Sequence, residues 1–207
     1  MCLGKKYTKM RILFLDTETT GLPKNQYSNA LESPGNWPDI VSVSWSVYNN
    51  RQHEFIRYFI IKPHDWIIPQ ESTNIHGITH EYANEHGASL GYVLEELSKD
   101  LSESDIVVAH NMQFDKNVLF ASYKWRLNMN PWHFWPKDEI CTMLLSENEL
   151  KLPSKFPKPT KLYKSPSLKE LYEKTFMEKM PQGAHNSKQD VECLSAIYWM
   201  RWPDECV

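Results

Sequence analysis

Three stretches in the first third of the chain carry the patterning of β-strands. Residues 11–16, "RILFLD", form an apolar run, and residues 39–48, "DIVSVSWSVY", alternate apolar with polar positions. Residues 54–62, "EFIRYFIIK", make a third run of the same kind. A period of two predicts strands. The Asn49-Asn50 pair between the second and third predicts a hairpin turn and therefore antiparallel pairing. Residues 23–38, with Pro23, Pro34, Gly35 and Pro38, predict a long loop between the first two strands.

The period then changes. Leu90, Val93, Leu94, Leu97 and Leu101 recur at helical spacing behind Ser89, a suitable N-cap. "DIVVAH" (105–110) reads as a short buried strand, 112–126 as a helix, and the region near 138–142 as a brief strand. Residues 148–166, with four prolines and spaced lysines, read as a loop. Ser167 with Glu170 has capping-box spacing and opens a helix; Asn186 with Gln189 has the same spacing and opens the last one, whose apolar positions are Val191, Leu194, Ile197 and Tyr198. Three antiparallel strands followed by alternating helices and strands predict an α/β fold, a mixed sheet with helices on its faces. Neither an internal repeat nor a linker divides it, so one domain is expected over 1–207 with its core at about 11–200.

Composition narrows the function classes. At 207 residues and 41% hydrophobic content the chain can bury one sizeable core. A net charge of −3 argues against binding a polyanion through bulk positive charge. No apolar run approaches the roughly 18 residues that span a bilayer. The opening "MCLGKKYTKM" has no apolar signal region, so an intracellular, cytoplasmic protein without membrane contact is expected. Cys2, Cys141, Cys193 and Cys206 are scattered, which suggests reduced thiols. His80 and His86 are six apart rather than four and cannot share a helix face as a zinc pair.

Candidate chemistry lies in three short patterns. Asp16 and Glu18 project to the same side of a strand end. Asp115 falls in the first turn of the helix after "DIVVAH", and Asp190 near the start of the last helix, just beyond His185. Singly, each has an ordinary explanation as a solvated acid or a complement to a helix dipole. In an open α/β sheet, however, chemistry collects at strand ends beside helix starts, which would bring all four acids together. Carboxylates at about 4 Å repel by about 4 kcal/mol per pair at an effective dielectric near 20. Divalent cations resolve that conflict, and an all-oxygen ligand set selects hard ions, Mg²⁺ or Mn²⁺.

"DTETTGL", "AHNMQFD" and "AHNSKQD" resemble the three motifs of the DnaQ-like, DEDDh family of 3′–5′ exonucleases, and "IHGIT" (75–79) and "ICTM" (140–143) resemble its connecting motifs. The resemblance spans about residues 11–200 and implies a ribonuclease-H-like five-stranded sheet. It further implies two-metal hydrolysis, with Asp16, Glu18, Asp115 and Asp190 as ligands of two divalent cations and His185 as general base. The implied product is a nucleoside 5′-monophosphate cut from a single-stranded 3′ end, DNA favoured over RNA. Thr17, Leu22, His110, Asn111 and Phe114 occupy positions that in the family contact the terminal nucleotide, the main-chain amides near Thr17 holding its 3′-hydroxyl. Core packing is the competing explanation for Leu22 and Phe114, and a structural histidine the favoured one for His76. Lys151, Lys155, Lys158, Lys161 and Lys164 could meet phosphates, or simply be solvated. "PWHFWP" (131–136) could stack bases, or pack on the sheet. An RNA-trimming enzyme and an accessory partner of a polymerase are the competing functions; the oligomeric state is open.

Overall fold

The computed structural model describes residues 10–158, 161–181 and 186–202. In chain order the elements are β1 (Arg11–Thr19), β2 (Ile40–Asn49), β3 (Gln52–Ile60), α1 (Gln70–His76), α2 (His80–His86), α3 (Leu90–Ser102), β4 (Ile106–Ala109), α4 (Met112–Ala121), β5 (Asp138–Cys141), α5 (Thr142–Leu150), β6 (Pro153–Lys158), β7 (Lys161–Tyr163), α6 (Leu168–Phe176) and α7 (Ser187–Arg201). Five strands form one mixed sheet in the order β3-β2-β1-β4-β5. β1 runs antiparallel to β2 and parallel to β4, and β4 runs parallel to β5. This is the expected ribonuclease-H-like α/β architecture.

Alternation along β1 distributes side chains to both faces. Leu13 and Leu15 join Val43, Trp45 and Val47 under α3 and α4. Ile12 and Phe14 join Val108, Leu171, Val191, Leu194 and Tyr198 under α6 and α7. The central strand is therefore covered on both sides, and helices lie on both faces as expected.

Several local expectations are corrected. The hairpin turn sits one residue later than the Asn-Asn pair: Asn50 and Arg51 carry the positive φ values, 50° and 67°, that a tight hairpin needs. The helix expected over 112–126 changes at Ser122–Arg126 into a π turn. Residues 148–166 are not a plain loop, because α5 reaches Leu150 and β6 pairs with β7 as a separate two-stranded sheet. Prolines are tolerated there because a two-stranded ribbon has only edges. Residues 23–38 do form a long loop, closed by paired hydrogen bonds between Asn25 and Asn36 and pinned by the buried Ala30 and Trp37. The capping box at Ser167 and Glu170 is present, whereas Asn186 caps α7 through the N–H of Lys188 rather than reciprocally with Gln189. No helix of the described residues is long and apolar enough to cross a membrane.

Candidate active site

Asp16 and Glu18 continue the face of β1 that begins with Ile12 and Phe14, so the strand passes from apolar to acidic under the same helix. Their cross-strand partners on β2 are Ser44 and Ser42. α7 crosses that face of β1 and β2 and delivers Asp190 from its first turn. Carboxylate oxygens of Asp16, Glu18 and Asp190 lie within 4.8 Å of one another, the single such grouping of metal-ligating side chains among the described residues. His80 and His86, rejected as a zinc pair, belong to no such group.

The fourth acid arrives from the neighbouring strand. β4 ends beside β1, Asn111 turns the chain with φ 76°, and α4 then carries Asp115 in its first turn. Asp115 is buried, and its Oδ1 accepts hydrogen bonds from the Thr17 N–H at 3.0 Å and the Thr17 hydroxyl at 2.8 Å. Thr17 thus orients a carboxylate, and its own amide, expected at the 3′-hydroxyl, is engaged by Asp115.

Burial and mutual repulsion set the electrostatics of the cluster. Burial, and then Asp115, Asp190 and Glu18 in turn, push the Asp16 carboxyl well above the usual carboxylate range. Burial with Asp190 and Asp115 pushes Glu18 up to about 8. Burial raises Asp115 as well, against the opposing pull of the Thr17 hydrogen bonds. Among the described residues, no cationic side chain figures in the influences on any of the three. The donors are all oxygens, with no thiolate or imidazole among the grouped ligands, which fits Mg²⁺ or Mn²⁺.

A cavity of about 560 Å³ is lined in part by Leu22, Tyr27, Trp37, Asn111 and Phe114, the last next in sequence to Asp115. Three of the five expected substrate residues therefore share one hollow. Leu22 is 84% exposed, so core packing does not account for it. Phe114 stands edge-on to Trp37, ring centroids 6.3 Å apart. His110 does not line the hollow. Its Nε2–H donates to the Pro166 carbonyl and its Nδ1 accepts from the Thr142 hydroxyl, each at 3.0 Å, so it braces the ends of β4 and the approach to α6. Burial pushes its ring down to about 4, which keeps it neutral. His185 lies outside the described residues.

The remaining expectations resolve on structure. His76 is buried beside Gly77, and its Nδ1 accepts from the Ile78 N–H at 3.1 Å, a structural role. In "PWHFWP", Pro131 and Trp135 are buried and Phe134 packs on the core, leaving Trp132 as the exposed aromatic, its ring under the Lys116 ammonium. Lys164 pairs with Glu170, while Lys151 and Lys155 stand exposed. Cys141 and Cys193 are free thiols. The residues that sequence reasoning missed are hydroxyls: Ser187 Oγ lies 3.1 Å from Ser42 Oγ and 2.9 Å from Ser44 Oγ. "VSVSWSV" looks like a strand with one wetted face, yet its serines are buried.

Comparison with known proteins follows the same line. No curated protein matches the chain in sequence. Escherichia coli exonuclease I bound to a dT13 oligonucleotide superposes with a TM-score of 0.70 at 17% identity, over 95% of this chain and 42% of that one. A zinc-bound complex of the E. coli enzyme with single-stranded DNA gives the same values, TM-score 0.70, 17% identity, 95% and 42% coverage. A further exonuclease I structure matches with TM-score 0.70 at 19% identity, over 94% of this chain and 42% of that chain. The chain thus spans about 42% of the length of these exonuclease I chains, and the likeness at this identity is one of fold. Its sequence matches the family described as RNase_T, exonuclease, over residues 13–198. The chain therefore belongs to that exonuclease family, the DnaQ-like group whose motifs its own three resemble.

Proposed function

We propose that the protein is a metal-dependent 3′–5′ exonuclease that acts on single-stranded nucleic acid, DNA in preference to RNA, and releases nucleoside 5′-monophosphates. The observation that carries this reading is the convergence of Asp16, Glu18 and Asp190 within 4.8 Å, with Asp115 beside them, from three elements far apart in sequence. Family membership supports nuclease chemistry. The complexes of E. coli exonuclease I with oligonucleotides support a single-stranded ligand.

Asp16, Glu18, Asp190 and Asp115 would hold two divalent cations. Mg²⁺ or Mn²⁺ there supplies Lewis-acid chemistry, acidifying a water and offsetting charge on the phosphoryl group. The protein's own groups do the rest. Thr17 fixes the Asp115 carboxylate through two hydrogen bonds. Leu22, Phe114 and Asn111 form a cavity whose apolar walls and carboxamide suit a terminal nucleobase, the walls stacking and the amide meeting its edge. An imidazole is suited to accept the proton of the attacking water, and His185 is the chain's candidate for that task. Lys151, just before β6, and Lys155, within it, are exposed and would meet phosphates of the incoming strand.

End-labelled DNA and RNA single strands, incubated with Mg²⁺, Mn²⁺ or EDTA, test the reading. A ladder shortening from the 3′ end alone, faster on DNA and abolished by EDTA, is expected. Internal cuts would make the protein an endonuclease, faster loss of RNA would make it an exoribonuclease, and binding without cleavage would make it an accessory module.

A further inference from the structure

Ser187, Ser42 and Ser44 are fully buried, and their hydroxyls meet beneath the acidic cluster. Their places in the fold are specific. Ser44 lies directly across from Asp16 and Ser42 directly across from Glu18 in the β1–β2 register. Ser187 precedes Asp190 by three residues, so the two are neighbours on one helix face. Each acid of the group is thus one strand spacing or one helical turn from a hydroxyl of the trio. A hydroxyl can donate once and accept twice, so Ser187 serves both partners together.

This contact meets a mechanical need. The acids on β1 repel the acid on α7, and the repulsion acts at the very start of the helix. Apolar packing, which holds the rest of α7, is non-directional and leaves freedom to slide or rotate. Hydrogen bonds at 2.9 and 3.1 Å are directional and fix both the height and the rotation of the first turn over β2. We propose that Ser187 is a positioning residue, tied to Ser42 and Ser44 so that Asp190 is held ready to share a cation with Asp16 and Glu18. The proposal rests on the reading of the acidic cluster as a cation site.

The same helix provides a matched control. Ser195 Oγ lies 3.3 Å from the Tyr48 hydroxyl of β2, two turns farther along and away from the acids. In the full-length protein, Ser187→Ala and Ser195→Ala should be compared by thermal unfolding without metal and by calorimetric titration with Mn²⁺. Both variants should lose a few degrees of melting temperature. Only Ser187→Ala should weaken Mn²⁺ binding, by about 10-fold or more, the scale on which groups that orient metal ligands act. Adding Ser44→Ala to Ser187→Ala should weaken it little further, because both changes remove one tie. Unchanged Mn²⁺ affinity in Ser187→Ala, or equal weakening in Ser195→Ala, would overturn the proposal. If Ser187→Ala fails to fold, Ser44→Ala alone carries the same comparison with the same two overturning results. A wild-type protein that takes up no Mn²⁺ would overturn the cation reading, and this proposal with it.

Discussion

At one end of their contact, α7 and β1 meet ring against ring: Tyr198 and Phe14 stand edge-on with centroids 5.3 Å apart. Two turns earlier the same helix and strand meet carboxylate against carboxylate, Asp190 beside Asp16. The first contact is favourable by itself, since it removes apolar surface from water. The second is unfavourable by itself, and on the proposed reading a cation is what would offset it. One helix therefore has a foot that holds the fold and a foot that gathers repelling acids, and the foldedness of the first sustains the tension in the second.

Asp16→Asn strikes the acidic end alone. Activity on a 3′-labelled single strand should fall by at least about 10³-fold, because several kcal/mol of charge stabilisation depend on the ligand set. Melting temperature without metal should hold or rise, since a repelling charge has gone. Phe14→Ala strikes the other end and should cost about 3–5 kcal/mol of stability in denaturant titration. A Phe14→Ala protein as stable as the parent would show that the rings are not what anchors α7.

Proton linkage gives the next largest effect. Glu18 is raised to about 8, and Asp16 and Asp115 are raised too. Below about pH 3 these groups are largely protonated in both folded and unfolded chains. As pH rises, the unfolded chain releases its protons first, so the metal-free fold loses stability progressively, the Glu18 share of that loss running up to about pH 8. Melting curves at pH 5, 6.5 and 8 should therefore fall without metal, and saturating Mg²⁺ should flatten the trend. A flat metal-free profile would show that the carboxylates do not strain one another. Leu22→Ala should leave stability unchanged, since the side chain is 84% exposed, and raise KM about 3–10-fold with kcat nearly constant. The smallest change is expected from Lys151→Gln with Lys155→Gln. The slope of log affinity against log salt should shrink by about 0.7 per lost phosphate contact.

In the main sheet β2 was legible by its alternation and β1 and β4 by their short apolar runs, and α3 because five apolar residues repeat at its period behind a capping serine. α1 and α2, seven residues each, present too little pattern to read. The β6–β7 ribbon escaped because an exposed two-stranded pair needs no buried face, so its prolines and lysines looked like loop. Arg51 at positive φ was unreadable for another reason: arginine has no preference for that conformation, and the turn is set by the register of β2 with β3. At the site, Asp16, Glu18, Asp115 and Asp190 were legible because acids beside apolar runs are conspicuous and their order matched a known set of motifs. The serine trio was not, since alternating serines look solvated until a helix is known to cover them.

Asn111 combines two duties that can be pulled apart. Its φ of 76° lets the chain reverse between β4 and α4, and the residue lines the same hollow as Leu22. Glycine would accept the backbone shape and delete the amide, whereas alanine would delete the amide and resist the shape, at about 1–2 kcal/mol. The pair Asn111→Gly and Asn111→Ala is thus a built-in subtraction: on the proposed reading what they share measures ligand recognition, and what separates them measures how firmly the bend before α4 aims Asp115.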